Sequence, residues 1–140
     1  MIRIATLAIA AVFLGGCAAT PPHPGPAKHG IDTRVVELPV AASISEAQEI
    51  RVLVDAPELE LASILLQAGT EMPAHHSDVP VTILALRGTG AVVVGSERMR
   101  LDKSHAVVLA RNVTHSVVPD PGTDLVVLVH HLGKGEEHHK

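Results

Sequence analysis

Histidine is the residue type in this chain with the widest chemical range. Ten of the 140 residues are histidine, and a neutral imidazole nitrogen is a common ligand of divalent transition metals. Six of them form adjacent pairs, at positions 75–76, 130–131 and 138–139. The first pair lies between Pro73 and Pro80, where a surface turn explains it equally well. The last pair lies in a polar chain end, where weak adventitious metal binding is expected.

Other catalytic and binding patterns are weak. Ser77 and Ser116 adjoin histidines, but sequence adjacency does not create a catalytic triad. Gly88–Thr89–Gly90 is too short for a phosphate-binding loop. The formal net charge is −4, and Phe13 is the only aromatic residue apart from histidine. Without a basic face or stacking platforms, the chain is predicted not to bind nucleic acid.

The N-terminus has the three-part pattern of a secretory signal. Arg3 gives a short cationic start, and an apolar run follows over Ile4–Leu14. This run is shorter than the roughly 20 residues of a membrane-spanning helix. Leu14-Gly15-Gly16-Cys17 resembles the bacterial lipobox, in which the cysteine becomes lipidated and starts the mature protein. The resemblance implies a signal peptide over residues 1–16 and lipid attachment at Cys17, the only cysteine.

The residues after Cys17 predict a tether and a location. Pro21, Pro22, Pro24 and Pro26 disfavour helix and sheet, so residues 17–33 are interpreted as a lipidated cysteine with a Pro-rich tether. Ala18, where some lipoproteins carry Asp, implies by the same resemblance an outer-membrane anchor facing the periplasm. The predicted partner of Cys17 is therefore the lipid bilayer.

Short strands are the elements that must position the histidines. Apolar and polar residues alternate, and turn residues separate the runs. A brief helical turn is predicted within Ala41–Gln48, with Ser45 as N-cap. Strands are predicted at Val35–Leu38, Ile50–Asp55, Leu59–Ser63 with the run Ile64–Leu66, Val81–Leu86, Ala91–Val94, Arg98–Leu101, Ala106–Ala110, Ser116–Val118 and Leu125–His130. Gly95-Ser96 predicts a type II′ hairpin. These patterns predict one all-β sandwich or barrel over residues 34–132, followed by a polar tail over 133–140.

Two groups of residues resemble the conserved motifs of the cupin family. In the first, the spacing of Gly69, His75, Ser77, Val81 and Gly88 matches a motif of Gly, His, His, Glu and Gly. In the second, Ser104, Ala110, Asn112, His115 and Pro119 follow the register of Gly, Pro, Gly, His and Asn. Asn112 is a mild departure, because Asn tolerates the left-handed conformation nearly as well as Gly.

The resemblance implies a small cupin-type jelly-roll β-barrel and a metal site inside it. Cupins place three histidines and a glutamate around one divalent metal, and here only His75 and His115 keep their ligand types. A one-residue shift of the strand would bring His76 inward in place of His75. The candidate metal ligands are therefore His115 with His75 or His76, and the candidate substitutes are Ser77, Asp78, His130 or His131. Whether this set binds one divalent transition metal stays open at this point.

Val81 changes the character of the expected site. It puts an isopropyl group where the resemblance expects a carboxylate, and Ile83 and Ala85 share its face in a strand. An apolar cavity floor favours a pocket for a small apolar or carboxylate-bearing ligand over a redox iron site.

Three functions follow as hypotheses. The first is an exported lipoprotein whose cupin barrel binds a small ligand, with or without a divalent metal. The second is a metal-dependent enzyme of the dioxygenase or isomerase type, and the third is a non-catalytic envelope scaffold. A homodimer is a further expectation, because cupins commonly dimerise.

Overall fold

The computed structural model describes residues 31–133. The predicted signal peptide, Cys17 and residues 17–30 of the predicted tether lie outside the described residues, as do residues 134–140 of the tail. Within residues 31–133, no helix has the length and apolar character needed to span a bilayer.

The described part of the chain forms nine β-strands and no helix. They are β1 Gln48–Ala56, β2 Leu59–Leu66, β3 Met72–His75, β4 Val81–Arg87, β5 Gly90–Val94, β6 Glu97–Leu101, β7 Ala106–Leu109, β8 His115–Pro119 and β9 Leu125–His131. A five-stranded sheet has the order β1-β2-β9-β4-β7, and a four-stranded sheet has the order β3-β8-β5-β6. The prediction of an all-β barrel is confirmed.

The core lies between the two sheets and is aliphatic. On β4, Val81, Ile83 and Ala85 are buried, whereas Thr82 and Leu84 between them are half-buried. The inner face packs against buried valines and leucines of the other strands, among them Val92, Leu101, Val117, Leu125 and Val127. The prediction that Val81, Ile83 and Ala85 share one apolar inner face is confirmed.

Turn chemistry sets the registers as expected. Gly95 begins the two-residue β5–β6 loop with a φ of 58°, and Ser96 does not share that left-handed conformation. One positive φ at the first loop position is what a type II′ turn requires. Asn112 is the only non-glycine residue of the described part with a positive φ, 62°, in agreement with its predicted tolerance.

The prediction for the segment before β1 is wrong. Residues 35–38 form no strand, and Val35 is 98% exposed. Residues 41–48 contain no helical turn, and Ser45 caps nothing. The backbone carbonyls of this segment instead accept hydrogen bonds from the barrel. Arg87 Nη1 donates to Val40 O at 3.1 Å and to Ala42 O at 2.9 Å, and Gln67 Nε2 donates to Ile44 O at 3.0 Å. Because these carbonyls already have hydrogen-bond partners in the barrel, a local helical turn would add little further hydrogen bonding.

The sequence interpretation missed β3, which carries Pro73. Proline interrupts a strand pattern because it has no N–H to donate. β3 is the edge of the four-stranded sheet and pairs only with β8. At an edge the missing donor can face solvent, so the strand forms despite Pro73.

Candidate functional site

A cavity of about 200 Å³ lies between the sheets, near the edge strands β1 and β3. Most of its wall is apolar, and one end carries imidazole, hydroxyl and carboxylate groups. The lining residues are Ile50, Val52, Glu60, Ala62, Ile64, Met72, His75, His76, Ser77, Val81, Ile83, His115, Val117, Val129 and His131. All four positions that the resemblance gave as metal ligands, namely 75, 77, 81 and 115, line this one cavity.

Two imidazoles form the polar end. His75 closes β3 and His115 opens β8, and the two residues are register partners across the strand pair. Their ring centroids lie 4.4 Å apart with an interplanar angle of 54°. His115 is 4% exposed and His75 is half-buried. The structure therefore brings together the two histidines that keep the motif's ligand type.

The backbone fixes the tautomer of both rings. His75 Nδ1 lies 2.9 Å from Pro73 O, and His115 Nδ1 lies 2.9 Å from Val113 O. A carbonyl oxygen only accepts, so each Nδ1 must carry the proton and donate it. In a neutral imidazole the other nitrogen, Nε2, is then an unprotonated acceptor. No hydrogen bond joins Nε2 of either ring to the described residues.

Two loops hold the histidine-bearing strands together. Asn112 N donates to Ser77 O at 2.6 Å, which joins the loop after β3 to the loop before β8. Asn112 also has a left-handed φ in this turn, a conformation that its residue type tolerates. Val79 N donates to Ser77 Oγ at 3.2 Å. Ser77 thus accepts one hydrogen bond at its backbone carbonyl oxygen and one at its side-chain Oγ. Its hydroxyl proton is used in neither bond and stays available to the cavity.

Burial lowers the pKa of His115 below its ordinary value. The hydrogen bond to Val113 O opposes this effect, because it favours the protonated ring. The nearby imidazoles of His75, His131 and His76 lower the pKa further, since positive charges would repel one another. The cavity therefore favours neutral His115.

A second pair of titratable groups lies at the mouth. Glu60 of β2 and His131 of β9 are register partners, and His131 Nδ1 lies 3.3 Å from Glu60 Oε1. The geometry at that distance does not complete a hydrogen bond, so the buried Nδ1 has no bonded partner in the described structure. With His76, Asp78 and Val79, this pair also lines an outer depression that opens to solvent. Sequence reasoning did not select Glu60, because its inward position depends on the pairing of β2.

The predicted metal ligands are not brought to one point. His75 and His115 meet, whereas His76 is an exposed residue at the cavity rim and Asp78 lines only the outer depression. His130 does not line the cavity. Among residues 31–133, no group of three or more His, Cys, Asp or Glu side chains is arranged to hold a metal ion. The residues present therefore do not fit the four-ligand site that the resemblance implies, and a metal on His75, His76 and His115 stays a prediction.

Solved structures show which fold this is. The chain is similar to an RmlC-like cupin family protein with a double-stranded β-helix fold from Methanocaldococcus jannaschii, at 19% identity over 74% of this chain and 94% of that one, with a TM-score of 0.60. It is also similar to the Cnp3 cupin domain of Schizosaccharomyces pombe, at 17% identity over 72% and 76% of the two chains and a TM-score of 0.61.

A cupin superfamily protein from Desulfitobacterium hafniense is 12% identical over 76% of this chain and 97% of that one, with a TM-score of 0.61. No protein-family model and no curated protein sequence matches the chain. At these identities the likeness concerns the fold alone. The chain has the cupin-type jelly-roll fold that its two motifs predicted.

Proposed function

We propose that the barrel binds one small, predominantly apolar molecule in the cavity between its sheets, without converting it chemically. The observation that carries this proposal is the cavity of about 200 Å³, walled by aliphatic side chains and ended by the His75–His115 pair. An apolar pocket with a few convergent polar groups is the usual form of a small-molecule site. Engineered cavities of about 150 Å³ accept benzene, so this one suits a ring with one or two substituents.

The residues at the motif positions support binding over catalysis. Ser77 and Val81 stand where the resemblance expects an imidazole and a carboxylate, and Val81 is 2% exposed in the apolar wall. An isopropyl group offers no ligand atom and no proton, but it adds contact surface for an apolar molecule.

A metal-dependent enzyme is the second candidate, and one observation favours it. Glu60 and His131 line the same cavity as His75 and His115. They carry a carboxylate oxygen and a further imidazole nitrogen, which are suitable donor types for a divalent transition metal, but the side chains of residues 31–133 are not grouped to hold one.

We also propose that the chain works at the cell envelope as a lipoprotein anchored through Cys17. The support is the sequence of residues 1–17, in which a cationic start and a short apolar run precede the only cysteine. The barrel would then face the periplasm from the outer membrane.

The experiment that tests the binding proposal fills the cavity. Ala62 is buried and lines it, so Ala62→Leu places three more carbons in that space. Small aromatic and aliphatic compounds should raise the melting temperature of the parent chain and should not raise that of Ala62→Leu. Thr82→Leu, on β4 and outside the cavity lining, is the matched control and should respond like the parent. If no compound raises the melting temperature of the parent more than that of Ala62→Leu, the binding proposal fails and the scaffold hypothesis is favoured.

Elemental analysis separates the two candidate functions. The full chain is purified without an added tag, beside His115→Ala. Stoichiometric metal in the parent and none in the variant would support the enzyme, whereas no metal in either would remove it.

A further inference from the structure

At the His75–His115 pair, the polar end of the cavity offers hydrogen-bond acceptors. Both Nδ1 protons are committed to backbone carbonyls, of Pro73 and Val113. Each ring in its neutral form is then left with an unprotonated Nε2, and not an N–H group, as the nitrogen that an incoming molecule can meet. Imidazole N–H groups in a cavity would suggest a site for an anion. Here the N–H groups of His75 and His115 are already bonded to backbone carbonyls, so they are not free to bind one.

The carboxylate at the mouth acts in the same direction. Glu60 lines the cavity with the two histidines, and its oxygens also only accept hydrogen bonds when ionised. A second carboxylate brought in by a ligand would lie near this one, and two ionised carboxylates close together repel each other. The Ser77 hydroxyl is a small neutral donor on the same wall.

We infer that the cavity selects a neutral molecule with an apolar body and a hydroxyl donor, such as a small phenol or alcohol, over a carboxylate of equal size. This inference rests on the proposed binding function and specifies its ligand class. The hydroxyl gives its proton to Nε2 of His75 or His115, and the body occupies the space among Val81, Ile83 and Val129. A molecule that lacks a donor leaves the two acceptors without partners in a desolvated pocket, which weakens its binding.

The chain is well suited to a direct test because it has no Tyr or Trp, and Phe13 is its only Phe. In D₂O, once the amide protons have exchanged, ligand aromatic proton signals overlap only with imidazole and one phenyl ring. We would titrate the full chain at pH 8, where imidazole and phenols are both ordinarily neutral. Three probes of similar size are followed by proton NMR: p-cresol with a donor, 4-methylanisole with the oxygen methylated, and benzoate as the anion.

The inference predicts that p-cresol binds at least about tenfold more tightly than 4-methylanisole and benzoate. If 4-methylanisole or benzoate binds as well as p-cresol, the donor inference is overturned and the binding proposal stands. If none of the three shifts or broadens at millimolar concentration, the proposed function itself fails for ligands of this size. A chelator is present throughout, so preference for p-cresol is not mediated by a metal.

Variants locate the preference. His115→Leu and His75→Leu each remove one acceptor and keep much of the side-chain volume. In each variant, the ratio of the p-cresol affinity to the 4-methylanisole affinity should fall towards one. Continued binding of 4-methylanisole would show that the cavity is intact. His75 lies on an edge strand and is half-buried, so its variant remains informative where His115→Leu does not fold. His130→Leu, outside the cavity lining, should leave the ratio unchanged. An unchanged ratio in both cavity variants would contradict the inference.

Discussion

His75 and His115 are register partners on neighbouring strands, and each ring donates its Nδ1 proton to the carbonyl two residues earlier in its own chain segment. The two rings therefore have the same tautomer and the same relation to the backbone. Forty positions of sequence separate them, and the β3–β8 pairing brings their centroids to 4.4 Å.

Acid should destabilise the protein through His115. Its folded pKa lies below the ordinary value because the ring is buried. The unfolded chain then binds the proton more readily, so the stabilising contribution is complete above the unfolded pKa near 6.5 and declines as pH falls towards the folded pKa. We expect the melting temperature to fall more between pH 8 and pH 5.5 in the parent than in His115→Leu. Equal falls in both proteins would refute this assignment, and His130→Gln, outside the cavity lining, is the control.

Restoring the motif should create a metal site. Ser77→His with Val81→Glu puts an imidazole and a carboxylate beside His75 and His115. Without metal, the carboxylate that Val81→Glu buries should cost about 3 kcal/mol or more of folding free energy. Added Zn²⁺ or Co²⁺ should recover the loss, since it binds only the folded state.

The readouts for this double variant are melting temperature with and without metal, and metal content by elemental analysis. Thr82→Glu with Ser77→His is the matched control, because Thr82 lies outside the cavity lining. If the double variant binds no more metal than this control, the register of the first motif is wrong.

Gly88 should tolerate a side chain far less well than Gly95. Both have positive φ, 76° and 58°, which costs an L residue about 1–2 kcal/mol. A Cβ at Gly95 meets nothing within 4 Å, whereas a Cβ at Gly88 would overlap the backbone carbonyl of Asp124. Urea unfolding should therefore show a loss of about 1–2 kcal/mol for Gly95→Ala and at least about twice that for Gly88→Ala. If Gly88→Ala and Gly95→Ala lost equal free energy of unfolding, the backbone near Asp124 would be able to move away from the new Cβ at no cost.

Arg87 should hold the segment before β1 to the barrel. Its guanidinium donates to two carbonyls, of Val40 and Ala42. Arg87→Ala should lower the free energy of unfolding by about 1–3 kcal/mol and speed proteolytic cleavage within residues 38–47. Both bonds come from Nη1, so Arg87→Lys should rescue part of the loss to the extent that its ammonium reaches the same two carbonyls. The control is the exposed Arg98→Ala, and cleavage at the parent's rate in Arg87→Ala would contradict the role.

Cys17→Ser should release the protein from membranes. The proposed anchor is lipid on Cys17, and each buried methylene of an acyl chain contributes about 0.8 kcal/mol to membrane binding. Membrane and soluble fractions of the producing bacterium are compared by immunoblot, with the parent as control. Continued sedimentation of Cys17→Ser with the membranes would show that another feature anchors the chain.

The fold could be predicted from sequence where a strand carries its own signal. β4 alternates Val81, Thr82 and Ile83, and the β5–β6 loop has the required glycine at position 95, so local residues define both elements. The motif spacing added the pairing of distant strands, which alternation alone does not provide. β3 was missed because Pro73 is tolerated only at a sheet edge, and edge position is a property of the whole sheet.

The candidate site was predictable in part. His75, His115, Ser77 and Val81 were selected by spacing, and all four line the cavity. Glu60 was not, because the leucines on either side of it in β2 favour the opposite face of that strand as the inner one. The tautomers of His75 and His115 could not be predicted from the sequence either, because they depend on which backbone carbonyl each ring contacts.

The position of the cavity between two outermost strands has a kinetic consequence. Ile50 and Val52 on β1 are 53% and 58% exposed, and β1 and β3 each hydrogen-bond to a single neighbouring strand. Local fraying of such strands requires less free energy than disruption of β9, which is paired on both sides. A bound molecule would therefore escape by partial opening at this seam, and its residence time would be set by edge-strand motion rather than by the lifetime of the folded barrel.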